Sequence, residues 1–303
     1  MKFNDYEYKR PDYDEFKIRY QEFIGLFNEA ESADEQYSYV QRINELDKEV
    51  ETMATLVQVR NSINTADEFY DRENEYIDMI SPKFHGLRVE FYKALLNSRF
   101  KTELKEMVKP QLFTIAEMEI KTYSDEVVPL LQEENKLVSR YNKLISSAKI
   151  NFDGKILNLS QMQPYMESKD RSVRKDAYDK WTVFFRENEK EIDMIYDSMV
   201  KVRNEIAIKL GFKNFVELGY LRMGRSDYNA DDVKKFRENV LEYIVPFSNE
   251  LREKQGKRIG IDKLKYYDLP LNFTSGNPVP KGNKVWKEPK KCTKSFLLKQ
   301  VNS

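Results

Sequence analysis

Apolar residues recur at intervals of three and four positions along most of this chain. The clearest case follows Ser32-Ala-Asp-Glu35, a capping box, in which serine and glutamate side chains satisfy free N–H groups at a helix start. Behind it runs one stripe with helical spacing: Tyr37, Val40, Ile43, Leu46, Val50, Met53 and Leu56. The pattern predicts a long amphipathic helix.

Further helices are predicted by the same signals. Thr65-Ala-Asp-Glu68 has the form of a second capping box, and Pro82 should interrupt the helix that it opens, because proline lacks an N–H group. Helical patterns also cover residues 91–96, 112–120 and 127–145. Pro129 is tolerable in the last of these, since it falls in the first turn.

One short segment has the alternation of a β-strand instead. From Lys149 to Leu159, apolar and polar residues alternate on both sides of Asp153-Gly154. A type I′ turn prefers this pair because both central positions need a positive φ. The segment 149–159 is therefore predicted to be a β-hairpin.

Helical spacing returns after the hairpin. A stripe from Val173 to Leu210 is broken only near Asn188, and Gly211 is suited to end it. Asn229 can cap the next helix, which Pro246 should kink. The predicted fold is mainly α, an elongated array of helices, stacked antiparallel, with one short β-hairpin.

Composition agrees with this fold. The chain has 303 residues, enough for a substantial core, and its 34% of charged residues with only ten glycines and ten prolines favours helices exposed to water. The single cysteine, Cys292, excludes an internal disulfide framework, and no signal pattern opens the chain, so we expect a cytoplasmic protein. No apolar run reaches about 18 residues, so no membrane partner is expected.

The net charge of zero is unevenly distributed. Seven of the 51 basic residues but only one of the 51 acidic residues lie from Lys281 onward, so the preceding part is net acidic. An acidic body does not favour nucleic-acid binding. The basic end is either a solvated arm or a phosphate-binding arm.

Candidate catalytic residues are scarce. His85 is the only histidine, and no H-E-x-x-H occurs, although a catalytic zinc normally takes three protein ligands. We expect His85 to be a surface or helix-end residue. The only cysteine, Cys292, lies in a region without helical periodicity. With one histidine and one cysteine, the chain has few residues from which a Ser-His-Asp or Cys-His catalytic site could form.

Carboxylates are abundant, but their pattern is that of a solvated surface. The doublets Glu133-Glu134 and Asp231-Asp232 place adjacent acids about 100° apart on a helix, where they serve as surface charges or helix-dipole partners. No phosphate-binding or dinucleotide-binding glycine motif is present. We therefore predict no catalytic, cofactor-binding or metal residue in this chain.

Several stretches in their order along the chain are familiar: Thr52–Val57, Asp67–Asp71, Leu131–Val138, Met166–Arg171, Lys209–Tyr220 and Tyr266–Asp268. Together they resemble the amino-terminal half of the oligoendopeptidase F group of thimet-like zinc metallopeptidases. The resemblance extends to about Lys281, and Lys209–Tyr220 is its most specific part.

The resemblance implies an almost wholly helical fold whose two halves enclose a cleft for short peptides. In this family zinc is held by an H-E-x-x-H helix and a further glutamate, and the glutamate inside the motif is the general base. All of them lie in the carboxyl-terminal half, so none can be carried over to this chain. The expectation is a fragment that is inactive alone, with zinc as the cofactor of the intact family member only.

The end of the chain departs from the family. We divide the sequence into a helical region, 1–281, and a non-family tail, 282–303. Codons allowed for the tail can spell a charged helical continuation in a shifted frame. A frameshift between Gly282 and Lys284 is therefore our hypothesis for the tail.

Two alternatives remain open at this stage. The chain can be a non-catalytic helical protein that binds peptides or acts as a scaffold. It can also be an enzyme that uses carboxylates alone, which predicts hydrolysis in the presence of a chelator. The fragment hypothesis in turn predicts exposed apolar surface where the missing half should pack, and hence self-association.

Overall fold

A computed structural model describes residues 3–278, which divide into two compact units. The first unit contains residues 3–149 and 184–238, and the second contains residues 150–183 and 239–278. The predicted boundary between residues 281 and 282 lies outside the described residues and stays a prediction.

The elements confirm a mainly α fold with one short hairpin. In chain order they are α1 (Tyr13–Glu29), α2 (Ala33–Ile63), α3 (Glu68–Leu96), α4 (Lys101–Val108), α5 (Pro110–Glu119), α6 (Val128–Ser146), β1 (Ile150–Phe152), β2 (Lys155–Leu157), α7 (Gln163–Met166), α8 (Arg171–Glu187), α9 (Glu189–Lys209), α10 (Phe215–Arg222), α11 (Ala230–Asn239) and α12 (Val245–Ile259). One-turn 3₁₀ helices cover Phe3–Asp5, Asp125–Val127, Ser160–Met162 and Tyr266–Asp268, and a π-helical turn covers Val240–Ile244. Within these residues, no helix is long and apolar enough to cross a membrane.

The core of the first unit lies between α1, α2 and α3. The predicted cap of α2 is confirmed, since the Ser32 Oγ accepts a hydrogen bond from the Glu35 N–H at 3.2 Å. The predicted stripe faces inward, and Val40, Ile43 and Leu46 are buried. They pack in one cluster with aromatic and aliphatic side chains of α1 and α3.

Helix α3 begins differently from the prediction. The capping residue is Asp67, which accepts hydrogen bonds from the N–H groups of Phe69 and Tyr70. Thr65 is not the cap, because the chain is still in the turn that ends α2, where the Asn64 side chain accepts from the Ala66 N–H.

Pro82 does not interrupt α3, and this prediction is wrong. The carbonyl of Asp78, four residues before the proline, cannot receive its usual N–H group. The side-chain amide of Asn135, on α6, donates to this carbonyl at 2.9 Å. The Gln132 amide donates to the next carbonyl, that of Met79, at 2.6 Å. The segment 91–96 is therefore the end of α3 and not a separate helix.

The remaining helices of the first unit follow their sequence signals, except that α4 and α10, like α1, were not predicted. The break at Asn188 separates α8 from α9. Gly211 has a φ of 86°, and the Phe212 N–H returns to the Ala207 carbonyl at 2.9 Å, which closes the end of α9. Asn229 accepts from the N–H groups of Asp231 and Asp232 and so caps α11 as expected.

The second unit has a small core beside the predicted hairpin. Strands β1 and β2 pair antiparallel with Ile150 opposite Leu157, and Asp153 and Gly154 both have positive φ. Ile150 and Leu157 pack with Met162, Met166 and Ala177, which fixes the hairpin on α7 and α8.

The helical segment that contains Pro246 is exposed over most of its length. The π-helical turn directly precedes Pro246, and α12 continues from it. No residue of α11 or of the π-helical turn is buried. In α12 only Gln255, Gly256 and Ile259, at its carboxyl end, are buried.

Candidate functional site

His85 lies in the middle of α3 and not at a helix end, because α3 runs through Pro82. Its Nε2 atom is 2.6 Å from the Glu119 Oε2 atom, and its ring meets Tyr123 edge-on. The hydrogen bond to His85 lowers the pKa of Glu119. At the neighbouring residue, Gly86, an added Cβ atom would collide with the hydroxyl end of Tyr123, so a larger residue there would force that ring to move.

A zinc centre does not fit the residues that the structure describes. Within them, no group of three or more His, Cys, Asp or Glu side chains is arranged to hold a metal ion. His85 has one carboxylate neighbour, Glu119, and further nitrogen donors of this type do not exist in the chain. Three protein ligands are the usual minimum for a catalytic zinc.

The first carboxylate doublet is split by the fold. Glu133 is exposed, whereas Glu134 is buried between two cations. Its oxygens lie 2.7 Å from the Arg203 Nε and 2.9 Å from the Arg222 Nη2. Both guanidinium groups also contact the ring of Phe215. Glu134 thus joins α6, α9 and α10 and is not half of an acid–base pair.

The second doublet lies in the first turn of α11, behind the cap at Asn229. Asp231 and Asp232 are exposed in the first turn, and the Asp232 carboxylate accepts a hydrogen bond from the Asn229 N–H at 3.0 Å. This is the helix-dipole role expected from the sequence.

A buried charge cluster orders the second unit. Asp268 and Arg174 are fully buried and joined at 2.8 Å, and Arg171 adds a contact at 2.7 Å. The other Arg174 nitrogens donate to the carbonyls of Ser168, Lys169 and Tyr267. Burial would raise the pKa of Asp268, but hydrogen bonds from Arg171, the Lys265 N–H and Arg174 lower it to about 2.

A polar network joins α3 to α6 around the side chain of Asp78. The Ser139 hydroxyl donates to its carboxylate at 2.5 Å, and the Asn74 amide contacts both groups. Burial raises the pKa of Asp78 to about 6, although the hydrogen bond from Ser139 and the charge of Lys143 oppose this shift.

The first unit also has a surface cavity of about 450 Å³ between α1, α2 and the preceding segment. Its apolar lining includes Phe16, Val50 and Met53, and charged side chains of both signs, Lys9 and Glu15 among them, also line it. Eight of its thirteen lining residues are charged, so the cavity is more polar than a typical small-ligand site, which is lined mainly by apolar side chains.

Sequence reasoning missed the two buried charge clusters, although the quoted stretches contain three of their residues. Glu134, Arg171 and Asp268 all fall in stretches that carry the family resemblance. Their partners are distant in sequence: Arg174 and Asp268 are separated by 94 positions, and Glu134 and Arg203 by 69. In both clusters the charges fix helices to one another.

Comparison with known families identifies residues 3–123 as matching the Peptidase M3 N-terminal domain. No curated protein matches the chain.

Solved structures match over nearly all of the chain. "PZ peptidase A with inhibitor 2" is 48% identical with a TM-score of 0.90, and the match covers 94% of this chain and 51% of that one. A protein assigned as oligoendopeptidase F from Bacillus anthracis str. Ames is 49% identical with a TM-score of 0.89, covering 94% and 53%. Oligoendopeptidase-F from Enterococcus faecium, at 15% identity and a TM-score of 0.61 with coverage of 92% and 57%, shares the fold. The chain thus spans about half the length of the solved relatives that it matches.

Proposed function

This chain corresponds in sequence and fold to the amino-terminal half of the oligoendopeptidase F group of the peptidase M3 family, and we propose that it is the non-catalytic half of a zinc-dependent peptidase. The intact enzyme would cleave internal bonds of short peptides, and this half would form one wall of the peptide cleft. The observation that carries the proposal is the match itself, which covers 94% of this chain but only 51–53% of relatives that are 48–49% identical.

We propose that the chain alone is inactive. Hydrolysis by zinc-activated water needs a metal held by several protein ligands and a general base beside it. The chain has one histidine, His85, and that side chain is engaged by Glu119. The described residues offer no set of donors around which such a centre would assemble.

Reconstitution tests this proposal. The purified 303-residue chain should not hydrolyse quenched fluorescent peptides, with or without added zinc. Co-expression with the carboxyl-terminal half of the Bacillus anthracis relative should produce hydrolysis that a chelator abolishes. The carboxyl-terminal half expressed alone is the control for activity that does not need this chain.

Two results would overturn the proposal. One is chelator-sensitive hydrolysis that copurifies with the chain alone and tracks stoichiometric zinc. The other is hydrolysis by the chain alone that persists with a chelator, which would instead support an enzyme based on carboxylates.

A second candidate function is metal-independent peptide binding. The cavity lined by Phe16, Val50 and Met53 favours it, because charged side chains of both signs, such as Lys9 and Glu15, also line it and a short peptide has one positive and one negative end. Saturable binding of apolar dipeptides by the chain in chelator, weakened by Met53→Glu, would support this candidate. The reconstitution experiment would then give no activity.

The proposal has two further parts. A cytoplasmic location rests on the single cysteine and on the absence of a helix able to cross a membrane in the described region. The frameshift hypothesis concerns residues outside that region. Sequencing the gene from the Gly282 codon onward tests it, since a shifted frame should continue into an H-E-x-x-H motif.

A further inference from the structure

We propose that a second cavity of the first unit, between α2 and the junction of α4 and α5, binds a small monocarboxylate that carries one apolar group. The cavity has a volume of about 620 Å³. Lys109, the residue that joins α4 to α5, lines it together with side chains of α2. All of its lining residues belong to the first unit, so the inference does not rest on the proposed peptidase role.

The lining combines an apolar wall with a few polar groups. Five of the ten lining residues are apolar or aromatic: Tyr37, Val40, Met107, Val108 and Leu112. They are buried or half-buried and pack in or against the core of the first unit. Only three of the ten are charged, against eight of thirteen in the cavity between α1 and α2. This balance is the usual one for small-molecule sites.

Lys109 has a backbone conformation that is unfavourable for lysine. Its φ is 71° and its ψ is 148°, a combination that glycine adopts readily and other residues rarely do. Pro110 follows and disfavours the helical region for Lys109, so the chain cannot continue α4 through this residue. A glycine here would relieve the strain but would remove the lysine side chain from the cavity. Strained residues of this kind are concentrated at binding and active sites.

Three polar side chains of the lining are available to a ligand. Within residues 3–278, the Lys109 ammonium makes no ion pair or hydrogen bond, and the side-chain amides of Gln41 and Asn44 make no hydrogen bond. Gln41 and Asn44 lie three positions apart and therefore share one face of α2. Ammonium and amide N–H groups are donors, and a carboxylate is an acceptor without a proton of its own.

The charge of the lining favours an anion with a single charge. The charged residues are two lysines and one glutamate, which gives a net charge of +1. Lys48 is paired with Glu45 at 2.6 Å, so the uncompensated charge is that of Lys109. Helix α5 begins at the next residue with no acid in its first turn and no side-chain cap, so the positive end of its dipole adds to the attraction.

N-acetyl-leucine is the probe for the test, because it has one carboxylate and one apolar side chain. Methyl NMR spectra of the 303-residue chain are recorded during a titration, with Met107 as a reporter inside the cavity. We expect saturable binding with a dissociation constant of roughly millimolar size, as is usual for so small a ligand. N-acetyl-leucinamide lacks the negative charge and should bind about fivefold more weakly or less tightly still.

Lys109→Gly separates an effect on binding from an effect on folding. It removes the ammonium group and relieves the strain, so the dissociation constant should rise about fivefold or more while the melting temperature is maintained or rises. Lys136→Ala removes an exposed lysine of α6 outside the cavity and should bind like the wild type. Met53→Glu changes the cavity between α1 and α2 and should also leave binding unchanged.

The tripeptide Ala-Ala-Leu distinguishes two sources of the carboxylate. Tighter binding than that of N-acetyl-leucine would assign the cavity to the carboxyl ends of peptides, and equal or weaker binding would assign it to free acids.

Four results would overturn the proposal. These are a titration that does not saturate, equal affinity for the acid and its amide, equal affinity of Lys109→Gly and the wild type, and weaker binding in Met53→Glu alone. The last result would place the ligand in the cavity between α1 and α2.

Discussion

Helix α2 and the segment 240–259 carry apolar residues at the same spacing but bury them to opposite extents. In α2, Ile43 and Leu46 are almost completely buried by α1 and α3, whereas Tyr243 and Phe247 are more than half exposed. The comparison shows that helical spacing identifies the face of a helix whose burial would be stabilising. Whether another part of the same chain covers that face depends on residues outside the helix.

The two helices are also anchored differently. Helix α2 contacts α1, α3 and α4. Helix α12 is held at its carboxyl end, where the Gln255 amide donates to the carbonyls of Leu269 and Leu271 at 3.0 and 2.7 Å. Those carbonyls directly follow the turn fixed by Asp268, so α12 is anchored by polar contacts and α2 by apolar packing.

Removing the polar anchor should have the largest effect. Asp268→Ala leaves the buried guanidinium of Arg174 without a carboxylate partner, and such a loss costs about 3–5 kcal/mol. We expect the second unit to unfold at lower urea, with faster amide hydrogen exchange in residues 245–259. Asp262→Ala, an exposed acid nearby, is the control. Equal exchange in both variants would contradict the anchoring role.

The next test compares one apolar residue from each helix. Ile43→Ala removes a fully buried side chain and should lower the free energy of unfolding by about 2–4 kcal/mol. Phe247→Ala removes an exposed side chain and should change the free energy of unfolding by less than about 0.5 kcal/mol. Urea denaturation at low protein concentration measures both. A large loss for Phe247→Ala would mean that this side chain is covered within the same chain.

A smaller effect is expected at the polar contact between α3 and α6. Asn135→Leu leaves the carbonyl of Asp78 without its donor, and an unsatisfied buried group costs about 1–3 kcal/mol. Thermal unfolding measures the loss. Gln111→Leu is the control, because that amide makes a long and exposed contact with Ser226. Unchanged stability in Asn135→Leu would show that water replaces the amide.

The last prediction concerns pH and the side chain of Asp78. Its pKa is about 6 in the folded chain and near 3.8 otherwise, so folding favours the protonated acid. The corresponding stability is present below pH 4 and is lost as the pH rises through about 6. Asp78→Asn should therefore gain stability relative to the wild type between pH 4 and pH 7, with Lys143 and Glu75 nearby unchanged. Melting temperatures at several pH values test this, and parallel curves would contradict it.

Local signals in the sequence predicted most of the helices. The cap at Ser32, the break at Asn188, the hairpin turn at Asp153 and the cap at Asn229 each depend on neighbours within a few positions, and all are confirmed. The error at Thr65 arose because two adjacent turns offered similar caps. Neighbouring residues could not predict that α3 continues through Pro82, because the side chains that replace the missing hydrogen bond lie on α6.

The candidate sites could not be predicted from the sequence, because they are formed by residues that are far apart along the chain. Nothing in the spacing of the chain relates Arg174 to Asp268 or Glu134 to Arg222, because periodicity describes one helix at a time. The exposure of the apolar side chains between residues 240 and 251 was likewise not predictable from their spacing. The resemblance to a family did indicate that apolar surface would be left uncovered, but not its position.

Pro82 and Asn135 constrain the order in which either can be replaced. With proline present, the amide of Asn135 is the donor on which the Asp78 carbonyl depends. If alanine replaced Pro82 first, its own N–H group would serve that carbonyl, and Asn135 would keep only its hydrogen bond to the Ser81 hydroxyl. The reverse order passes through an intermediate with an unsatisfied carbonyl. The effect of a substitution at either position therefore depends on which residue is present at the other. A double-mutant cycle would measure that dependence as a coupling energy.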